Sequence, residues 1–268
     1  MKYIIMSNIL IIDGDESFGF RFARDYGNRD EIQLLYPLKG IENFLESLME
    51  LPDNYDFIIN NFDIPFYSKS TNFLEMNFKI QEFVNERFHA GKKVLLSSQL
   101  VYSSSTLPKN ENYKTVPETE YGKTKIKAEQ AVKQNDHYLI IRRGMTYGKC
   151  TYNIYTDILA AIRSKMPVKL NNNIILNPVL NSDLSLIAYK VMKNMDRQII
   201  NVASDETMTL YEFGSRLYRS FNDNACPFIK TYTGKNLDYR MDMSMIHKLY
   251  NLEFTGLEDI DFMDFLPR

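Results

Sequence analysis

The sequence predicts an α/β fold: a doubly wound parallel sheet of the Rossmann-like kind, with a small C-terminal lobe. Short apolar runs alternate with amphipathic stretches of helical period along most of the 268 residues. Strands that alternate with helices favour a parallel sheet with helices on both faces. The first apolar run, residues 8–12, ends in Asp-Gly, which is typical of a buried strand followed by a turn.

The first half of the chain supplies most of the predicted sheet. The predicted helix 41–51 carries its apolar residues on one stripe, and Gly27 and Gly91 are typical helix stops. Strands are expected at 8–12, 31–36, 55–59 and 94–96, and helices at 17–26, 41–51 and 73–90.

The second half keeps the same rhythm. Thr209 and Glu212 form a predicted capping box at a helix start, and the three asparagines at 171–173 predict a turn. Helices are expected at 121–134, 155–164, 183–194 and 209–221, and strands at 138–141 and 199–202. We expect residues 1–150 to form the Rossmann-like region, and residues 151–268 to complete the sheet and form the lobe.

Composition argues against several classes of function. The formal net charge is −2, which gives no bulk attraction to nucleic acid or to an anionic membrane. The sequence has no run of 18 apolar residues, and its apolar start lacks a small-residue cleavage site, so we expect a cytoplasmic protein. Cys150 and Cys226 are expected to be free thiols, and the three scattered histidines predict no metal site.

The strongest chemical signal is the segment 121–129, Tyr-Gly-Lys-Thr-Lys-Ile-Lys-Ala-Glu. Tyr121 and Lys125 are four residues apart, so a helix places them one turn apart on one face. An ammonium beside a phenol favours the phenolate, so Lys125 is predicted to lower the pKa of Tyr121 from its usual value of about 10. Ser98, at the end of a predicted strand, adds a hydroxyl that can hold a substrate oxygen. The three residues predict a site for carbonyl reduction or alcohol oxidation.

Five segments follow one another in an order shared with a known enzyme family. Residues 94–102 match a strand that delivers a catalytic Ser or Thr, and residues 121–129 match an active-site helix. Residues 140–148, 177–184 and 200–212 match the strand and loop that follow, the entry to a substrate lobe, and the last strand and helix. In this order the chain resembles the extended short-chain dehydrogenases/reductases, in particular the nucleotide-sugar branch of dTDP-4-dehydrorhamnose reductases and NAD-dependent epimerase/dehydratases.

This resemblance implies a catalytic set of Ser98, Tyr121 and Lys125 that works with NADP or NAD. Tyr121 would act as general acid/base, and Ser98 would bond the substrate oxygen. Lys125 would lower the pKa of the tyrosine and bond the nicotinamide ribose. The redox chemistry would belong to the cofactor, and the protein would orient it.

The resemblance also implies residues for the cofactor and the substrate. Gly14, Gly19 and Asn60 are expected to contact the cofactor, together with the catalytic tyrosine and lysine. Tyr147 and Asn177 are expected to contact the substrate, a nucleotide-linked (deoxy)sugar held partly by the small C-terminal substrate lobe. Family likeness further implies a homodimer formed through a helical face.

The predicted phosphate-binding turn departs from the family pattern. That pattern is Gly-x-x-Gly-x-x-Gly, and whether Gly14 or Gly19 is aligned, only one glycine stays in register. Asp13, Asp15 and Glu16 bring up to three negative charges to the place where a pyrophosphate would lie. Acidic residues also suit the start of a helix, so a plain strand–turn–helix is an equal alternative.

The predicted adenine end departs further. The second strand ends in Tyr36-Pro37 without an Asp for a ribose, although Lys39 could meet a 2′-phosphate. The short strand that carries an adenine-contacting Asp in the family is expected to be absent. Phe62 stands where the family has small residues, and a ring there could crowd the cofactor.

Three functions stay open at this point. The first is an NAD(P)-dependent reductase or epimerase that acts on a nucleotide sugar in polysaccharide synthesis. The second is a non-catalytic regulatory or scaffold protein of the same fold, motivated by the altered glycine turn. The third is a phospho-receiver domain, motivated by Asp13 and the acidic turn, although Asn61 stands where the acceptor aspartate would be needed.

Overall fold

The computed structural model describes residues 6–14, 17–37, 41–63, 71–148, 154–164, 166–221, 228–232 and 234–257. Its strands are β1 (Asn8–Asp13), β2 (Glu31–Leu35), β3 (Phe57–Asn61), β4 (Lys92–Ser98), β5 (Tyr138–Arg143), β6 (Met145–Tyr147), β7 (Lys169–Asn171), β8 (Ile174–Leu176), β9 (Pro178–Leu180), β10 (Gln198–Val202), β11 (Met208–Thr209), β12 (Ile229–Thr231) and β13 (Leu237–Asp238). Its helices are α1 (Ser17–Tyr26), α2 (Ile41–Glu50), α3 (Thr71–Arg87), α4 (Glu120–Val132), α5 (Ile154–Ser164), α6 (Asn181–Asn194), α7 (Leu210–Phe221) and α8 (Ser244–Leu249). Asp15, Glu16, Lys39, Cys150 and Cys226 lie outside the described residues.

Six strands form the main sheet in the order β2-β1-β3-β4-β5-β10, and every neighbouring pair is parallel. The strand order reverses between β1 and β3, and ligands of open α/β sheets bind outside the carboxyl ends of the strands at such a switch point. At that edge the register pairs Asp13 with Asn61, and Ser98 with Arg143. The topology therefore gathers these four side chains along one edge of the sheet.

Apolar side chains cover both faces of the sheet, as the doubly wound prediction requires. Successive residues of a strand point to opposite faces. Ile9 and Ile11 of β1 accordingly join a buried cluster with α1 and α6, whereas Leu10 and Ile12 join a second cluster with α2 and α3. The predicted α/β fold with helices on both faces is confirmed.

A smaller lobe is built from short strands and two helices. β6 pairs with β9, β7 with β12, and β8 with both β11 and β13. Its apolar cluster includes side chains of α5 and α7, among them Tyr155 and Phe213. β10 lies after residue 150 and belongs to the main sheet, whereas β6 lies before residue 150 and pairs with β9 of the lobe. The predicted division of the chain at residue 150 stays a prediction.

The longer predicted elements agree with the structure to within a few residues. The Thr209 capping box is present: Thr209 N donates to Glu212 Oε2 at 2.8 Å, and Glu212 N donates to Thr209 Oγ1 at 3.1 Å. The short strands of the lobe and helix α8 were not predicted.

In the described ranges β2 forms one edge of the main sheet. No helix in these ranges is long and apolar enough to cross a membrane.

Gly91, which precedes β4, is required by the backbone. Its φ of 74° lies in the left-handed region, and a Cβ atom there would lie 2.2 Å from the Tyr55 carbonyl oxygen. We expect Gly91→Ala to lower the free energy of unfolding by about 1–3 kcal/mol. Gly234→Ala is the matched control, because no heavy atom lies within 4 Å of its Cβ position. Urea denaturation of both variants checks this, and equal losses would contradict it.

Candidate active site

Ser98 ends β4 and caps the short 3₁₀ segment Gln99–Val101. Its backbone is extended, with φ −140° and ψ 151°, and its Oγ accepts a hydrogen bond from Leu100 N at 3.2 Å. Serine suits this position because its short side chain reaches an unpaired N–H of the turn that follows. The cap fixes the Ser98 hydroxyl at the carboxyl edge of the sheet.

Helix α4 brings Tyr121 and Lys125 to the same edge. Thr119 caps the helix, with its Oγ1 accepting a hydrogen bond from Gly122 N at 3.0 Å. A Cβ atom on Gly122 would lie 2.2 Å from the Leu100 carbonyl oxygen, so only glycine permits this approach of the helix to the 3₁₀ segment. The approach puts the Tyr121 phenol within hydrogen-bonding reach of the Ser98 side chain. The structure thus brings the three predicted catalytic residues together.

A buried ion pair anchors the opposite end of α4. Glu129 and Arg142 are 2% and 3% exposed. Arg142 Nε and Nη2 donate to the two carboxylate oxygens of Glu129 at 3.0 and 2.7 Å, and Ser97 Oγ donates to Oε1 at 2.6 Å. Glu129 lies one turn beyond Lys125 on the same face of the helix. This ion pair therefore fixes the rotation of α4 that points Tyr121 and Lys125 at the edge.

Lys125 is a fully buried cation in this site. Its Nζ is 3.0 Å from Asp63 Oδ1, and it donates to the carbonyl oxygens of Phe62 and Leu96 at the longer distance of 3.4 Å. Burial lowers the pKa of Lys125, and the Asp63 carboxylate opposes that shift. Asp63 is the group that neutralises the buried ammonium.

Asp63 also engages two other donors. Its Oδ2 accepts a hydrogen bond from the Tyr121 hydroxyl at 3.1 Å and lies 2.7 Å from Arg143 Nη2. Arg143, the last residue of β5, also donates to Thr146 Oγ1. Asp63 is therefore the centre of a network that contains both the predicted acid/base residue and the predicted lysine.

Sequence reasoning missed Asp63 and Arg143. A signal was present, since Asp63 comes two residues after the end of β3 and Arg143 ends β5. The carboxyl ends of neighbouring parallel strands meet at one edge, so charged residues at these places are expected to converge. The motif at 121–129 is local in sequence, whereas Asp63 and Arg143 meet only through the order of the strands.

The pKa of Tyr121 shifts in the direction opposite to the prediction. Burial raises it well above its usual range, and the nearby Asp63 carboxylate adds to the rise. Arg143 and the hydrogen bond with Ser98 act in the opposite direction but do not outweigh these causes. The expected lowering of the Tyr121 pKa is wrong for this arrangement, because burial and the Asp63 carboxylate both raise it.

A second buried carboxylate, that of Asp13 at the end of β1, contacts the start of α1. Its Oδ2 accepts a hydrogen bond from Gly19 N at 2.5 Å, and its Oδ1 accepts one from Asn61 Nδ2 at 2.7 Å. A Cβ atom on Gly19 would lie 2.8 Å from Asp13 Oδ2, and a Cβ atom on Gly14 would lie 2.8 Å from Asp63 N. Both predicted cofactor glycines are thus packed against the chain's own atoms, and their cofactor role stays a prediction.

The two ends of the predicted cofactor site differ in how well they fit a dinucleotide. At the catalytic end a buried ammonium, a phenol and a serine hydroxyl are suitable donors for a ribose and a substrate oxygen. At the start of α1, Asp13 already accepts the Gly19 N–H group that a phosphate would need, and its charge would repel a phosphate. The residues fit the nicotinamide end and, in this arrangement, do not fit the pyrophosphate.

Asn60 and Phe62 have internal contacts. Asn60 Nδ2 donates to Gln81 Oε1 at 2.9 Å, and Asn60 Oδ1 accepts from Phe62 N at 2.9 Å. The ring of Phe62 packs in the apolar cluster next to Phe44, with 5.7 Å between the ring centroids. The expectation that Phe62 crowds the cofactor is wrong, because its ring is part of the core. The cofactor contact of Asn60 stays a prediction.

The two predicted substrate residues are buried as well. Tyr147 packs in the lobe's apolar cluster, with its ring centroid 5.3 Å from that of Phe213, and burial raises the pKa of Tyr147 above its usual range. Asn177 joins three segments: its N donates to Gln99 Oε1, its Nδ2 to Ser204 O, and its Oδ1 accepts from Met241 N. Their substrate contacts stay predictions.

The described ranges contain no group of three or more His, Cys, Asp or Glu side chains that could hold a metal ion. His137 and His247 each form a surface contact with an aspartate, Asp196 at 2.7 Å and Asp205 at 2.8 Å.

A family model described as "RmlD substrate binding domain" matches residues 88–235, which is more than half of the chain. The match includes Ser98, Tyr121, Lys125, Arg143 and Asn177. No curated protein sequence matches the chain.

Several solved structures share the fold at low sequence identity. A dTDP-4-dehydrorhamnose reductase (rfbD) from Bacillus anthracis str. Ames, in complex with NADP, has a TM-score of 0.82 and 15% identity and covers 95% of this chain and 97% of that chain. MoeE5, in complex with UDP-glucose and NAD, has a TM-score of 0.81 and 15% identity and covers 94% of this chain and 95% of that chain. DesIV, a dTDP-glucose 4,6-dehydratase from Streptomyces venezuelae with NAD and TYD bound, has a TM-score of 0.79 and 16% identity and covers 94% of this chain and 94% of that chain.

The Glu129–Arg142 pair is expected to stabilise the site. In Glu129→Gln the buried guanidinium loses its counter-charge, so we expect the free energy of unfolding to fall by about 3–5 kcal/mol. Glu120→Gln is the matched control on the same helix, because Glu120 and its partner Lys123 are 63% and 54% exposed and such pairs contribute less than about 1 kcal/mol. Urea denaturation measures both, and a loss at Glu129 as small as at Glu120 would refute the assignment.

Proposed function

The chain belongs to the family described as RmlD substrate binding domain, and on that premise we propose that it is an NAD(P)-dependent reductase or epimerase of nucleotide-linked (deoxy)sugars. The observation that carries this proposal is that Tyr121 lies next to both Ser98 and Lys125 at the carboxyl edge of a doubly wound sheet. An acid/base phenol, a neighbouring ammonium and an orienting hydroxyl are the groups that a carbonyl–alcohol interconversion needs.

The names of the similar structures support the substrate class. One is called a dTDP-4-dehydrorhamnose reductase, one a dTDP-glucose 4,6-dehydratase, and one was solved with UDP-glucose. A sugar linked to a nucleoside diphosphate is common to all three. Their complexes contain NADP or NAD, and we propose the same pair of cofactors for this chain.

In the proposed mechanism Tyr121 moves the proton and Ser98 holds the substrate oxygen. When bound, a nicotinamide cofactor would supply the hydride chemistry. The Tyr121 phenol would donate its proton to the carbonyl oxygen in the reduction, and its phenolate would take the proton back from the alcohol in the reverse reaction. Lys125 would hold the nicotinamide ribose through its ammonium group.

We further propose a cytoplasmic homodimer. The family resemblance motivates the dimer, and sedimentation of the purified protein measures it. A reducing compartment suits a chain with only two cysteines at distant positions.

A non-catalytic protein of the same fold is the second candidate, and one observation favours it. The Asp13 carboxylate accepts the Gly19 N–H at the start of α1, where a dinucleotide pyrophosphate would bind. Copurification with a stoichiometric partner, together with no binding of NADPH or NADH at millimolar concentration, would favour this candidate. The receiver alternative has less support, since the side chain at its acceptor position is the Asn61 amide that donates to Asp13.

Replacing the proposed acid/base residue tests the mechanism. We expect Tyr121→Phe to lower kcat about 10²- to 10⁴-fold with little change in KM, because the lost proton transfer belongs to the transition state. The assay follows NADPH oxidation with dTDP-4-dehydrorhamnose as the substrate. Tyr232→Phe is the matched control, since Tyr232 is 65% exposed in the lobe. Turnover of Tyr121→Phe equal to that of the control would exclude the mechanism.

A further inference from the structure

Three donors from two elements converge on the single carboxylate of Asp63. Tyr121 and Lys125 come from α4, and Arg143 comes from the end of β5. The distances are 3.1 Å from the phenol oxygen, 3.0 Å from the ammonium nitrogen and 2.7 Å from the guanidinium nitrogen. The contacts of Tyr121 and Arg143 are hydrogen bonds to Oδ2 of the carboxylate, which are among the stronger polar interactions in proteins, and the contact of Lys125 with Oδ1 is an ion pair. Two of the three donors are those that the proposed reaction needs.

The buried ammonium explains why this contact is favourable. Lys125 is fully buried, and its other contacts are two carbonyl oxygens at 3.4 Å. A buried charge is costly unless an opposite charge and hydrogen bonds compensate for it. Asp63, with a side chain 18% exposed, reaches this cation from the rim of the site. A neutral ribose hydroxyl that approached Lys125 would have to replace an anion.

The backbone around Asp63 lies against the same crevice. A Cβ atom placed on Gly14 would be 2.8 Å from Asp63 N and 3.2 Å from Asp63 O. Gly14 follows β1 and Asp63 follows β3, so this contact spans the switch point where the strand order reverses. The backbones that follow β1 and β3 therefore lie in close contact at the switch point, beside the Asp63 carboxylate.

We propose that Asp63 is an internal competitor for the Tyr121–Lys125 pair, and that its carboxylate must leave both donors before the cofactor ribose and the substrate oxygen bind there. This inference rests on the proposed function. The free protein has a closed state, with Asp63 on Lys125, and an open state with both donors exposed to ligand. The apparent affinity for NADPH is then the intrinsic affinity multiplied by the open fraction. Removing the carboxylate raises that fraction.

The test compares the affinities of variants that differ in this one carboxylate. Calorimetric and fluorescence titration with NADPH and NADH is made on the wild type, Asp63→Asn and Asp63→Ala. We expect the dissociation constant for at least one of the two cofactors to fall about tenfold or more in both variants. Asp136→Asn is the matched control, because that carboxylate is 94% exposed and its contact with Arg197 is a surface pair at 3.6 Å. Variants that bind both cofactors no more tightly than the wild type, or not at all, would overturn the proposal.

The unliganded variants provide a readout that is independent of turnover. Without Asp63 the buried ammonium loses its counter-charge, so the melting temperature of the cofactor-free protein should fall, and NADPH should raise it by more than in the wild type. A gain no larger than that of the wild type counts against the competition.

If both variants fail to fold, a titration of Tyr121 in the wild type still tests whether Asp63 leaves the phenol. With tyrosine labelled at ζ-13C, saturating NADPH should move the Tyr121 titration to lower pH, because the Asp63 carboxylate leaves the phenol. A Tyr121 pKa unchanged by NADPH would overturn the proposal.

Cofactor affinity tests the competitor role of Asp63, whereas turnover tests the proposed enzyme activity. Tighter binding by Asp63→Asn without turnover of any keto-sugar nucleotide would support the competitor and count against the enzyme. Turnover that depends on Tyr121, together with equal cofactor affinity in wild type and Asp63→Asn, would support the enzyme and overturn the competitor.

Discussion

The buried ammonium of Lys125 is the constraint on which the site depends. Lys125 is fully buried, so in the free protein its charge needs a compensating carboxylate. Asp63 meets that need at 3.0 Å and in doing so also binds the Tyr121 phenol and Arg143. The raised pKa of the phenol follows from the same arrangement, because burial and a neighbouring negative charge both favour the neutral form.

The fold explains why these groups meet. A parallel sheet aligns the carboxyl ends of its strands, and the order β2-β1-β3-β4-β5-β10 puts the ends of β1, β3, β4 and β5 side by side. Asp13 and Ser98 are the last residues of β1 and β4, and Asp63 comes two residues after the end of β3. At the start of α1, Asp13 provides the negative charge that a helix N-terminus favours, and other members of such folds use a phosphate for this purpose. The chain supplies its own anions at two places where a dinucleotide would provide polar groups.

Local signals predicted the fold and the position of helix α4 well. The 3.6-residue period, the Thr209 capping box and the four-residue spacing of Tyr121 and Lys125 depend on neighbours in sequence, so they can be read directly. Asp63 contacts Tyr121, 58 positions away in sequence, and Arg143, 80 positions away. These contacts arise only when the strands pair in the sheet. Phe62 was misread for the same reason: its place after β3 is local information, whereas the core cluster that holds its ring is not. The short lobe strands pair across long sequence distances and carry too few residues for a period of two to be visible.

A crystal structure of the wild-type protein grown with saturating NADPH distinguishes a competing Asp63 carboxylate from a fixed one. We expect density for the nicotinamide ribose at Lys125 Nζ, with the Asp63 carboxylate no longer in contact with Lys125 or Tyr121. A complex in which NADPH is bound while Asp63 keeps its 3.0 Å contact with Lys125 would contradict it, because the carboxylate would then be a fixed part of the binding site and not a competitor for it.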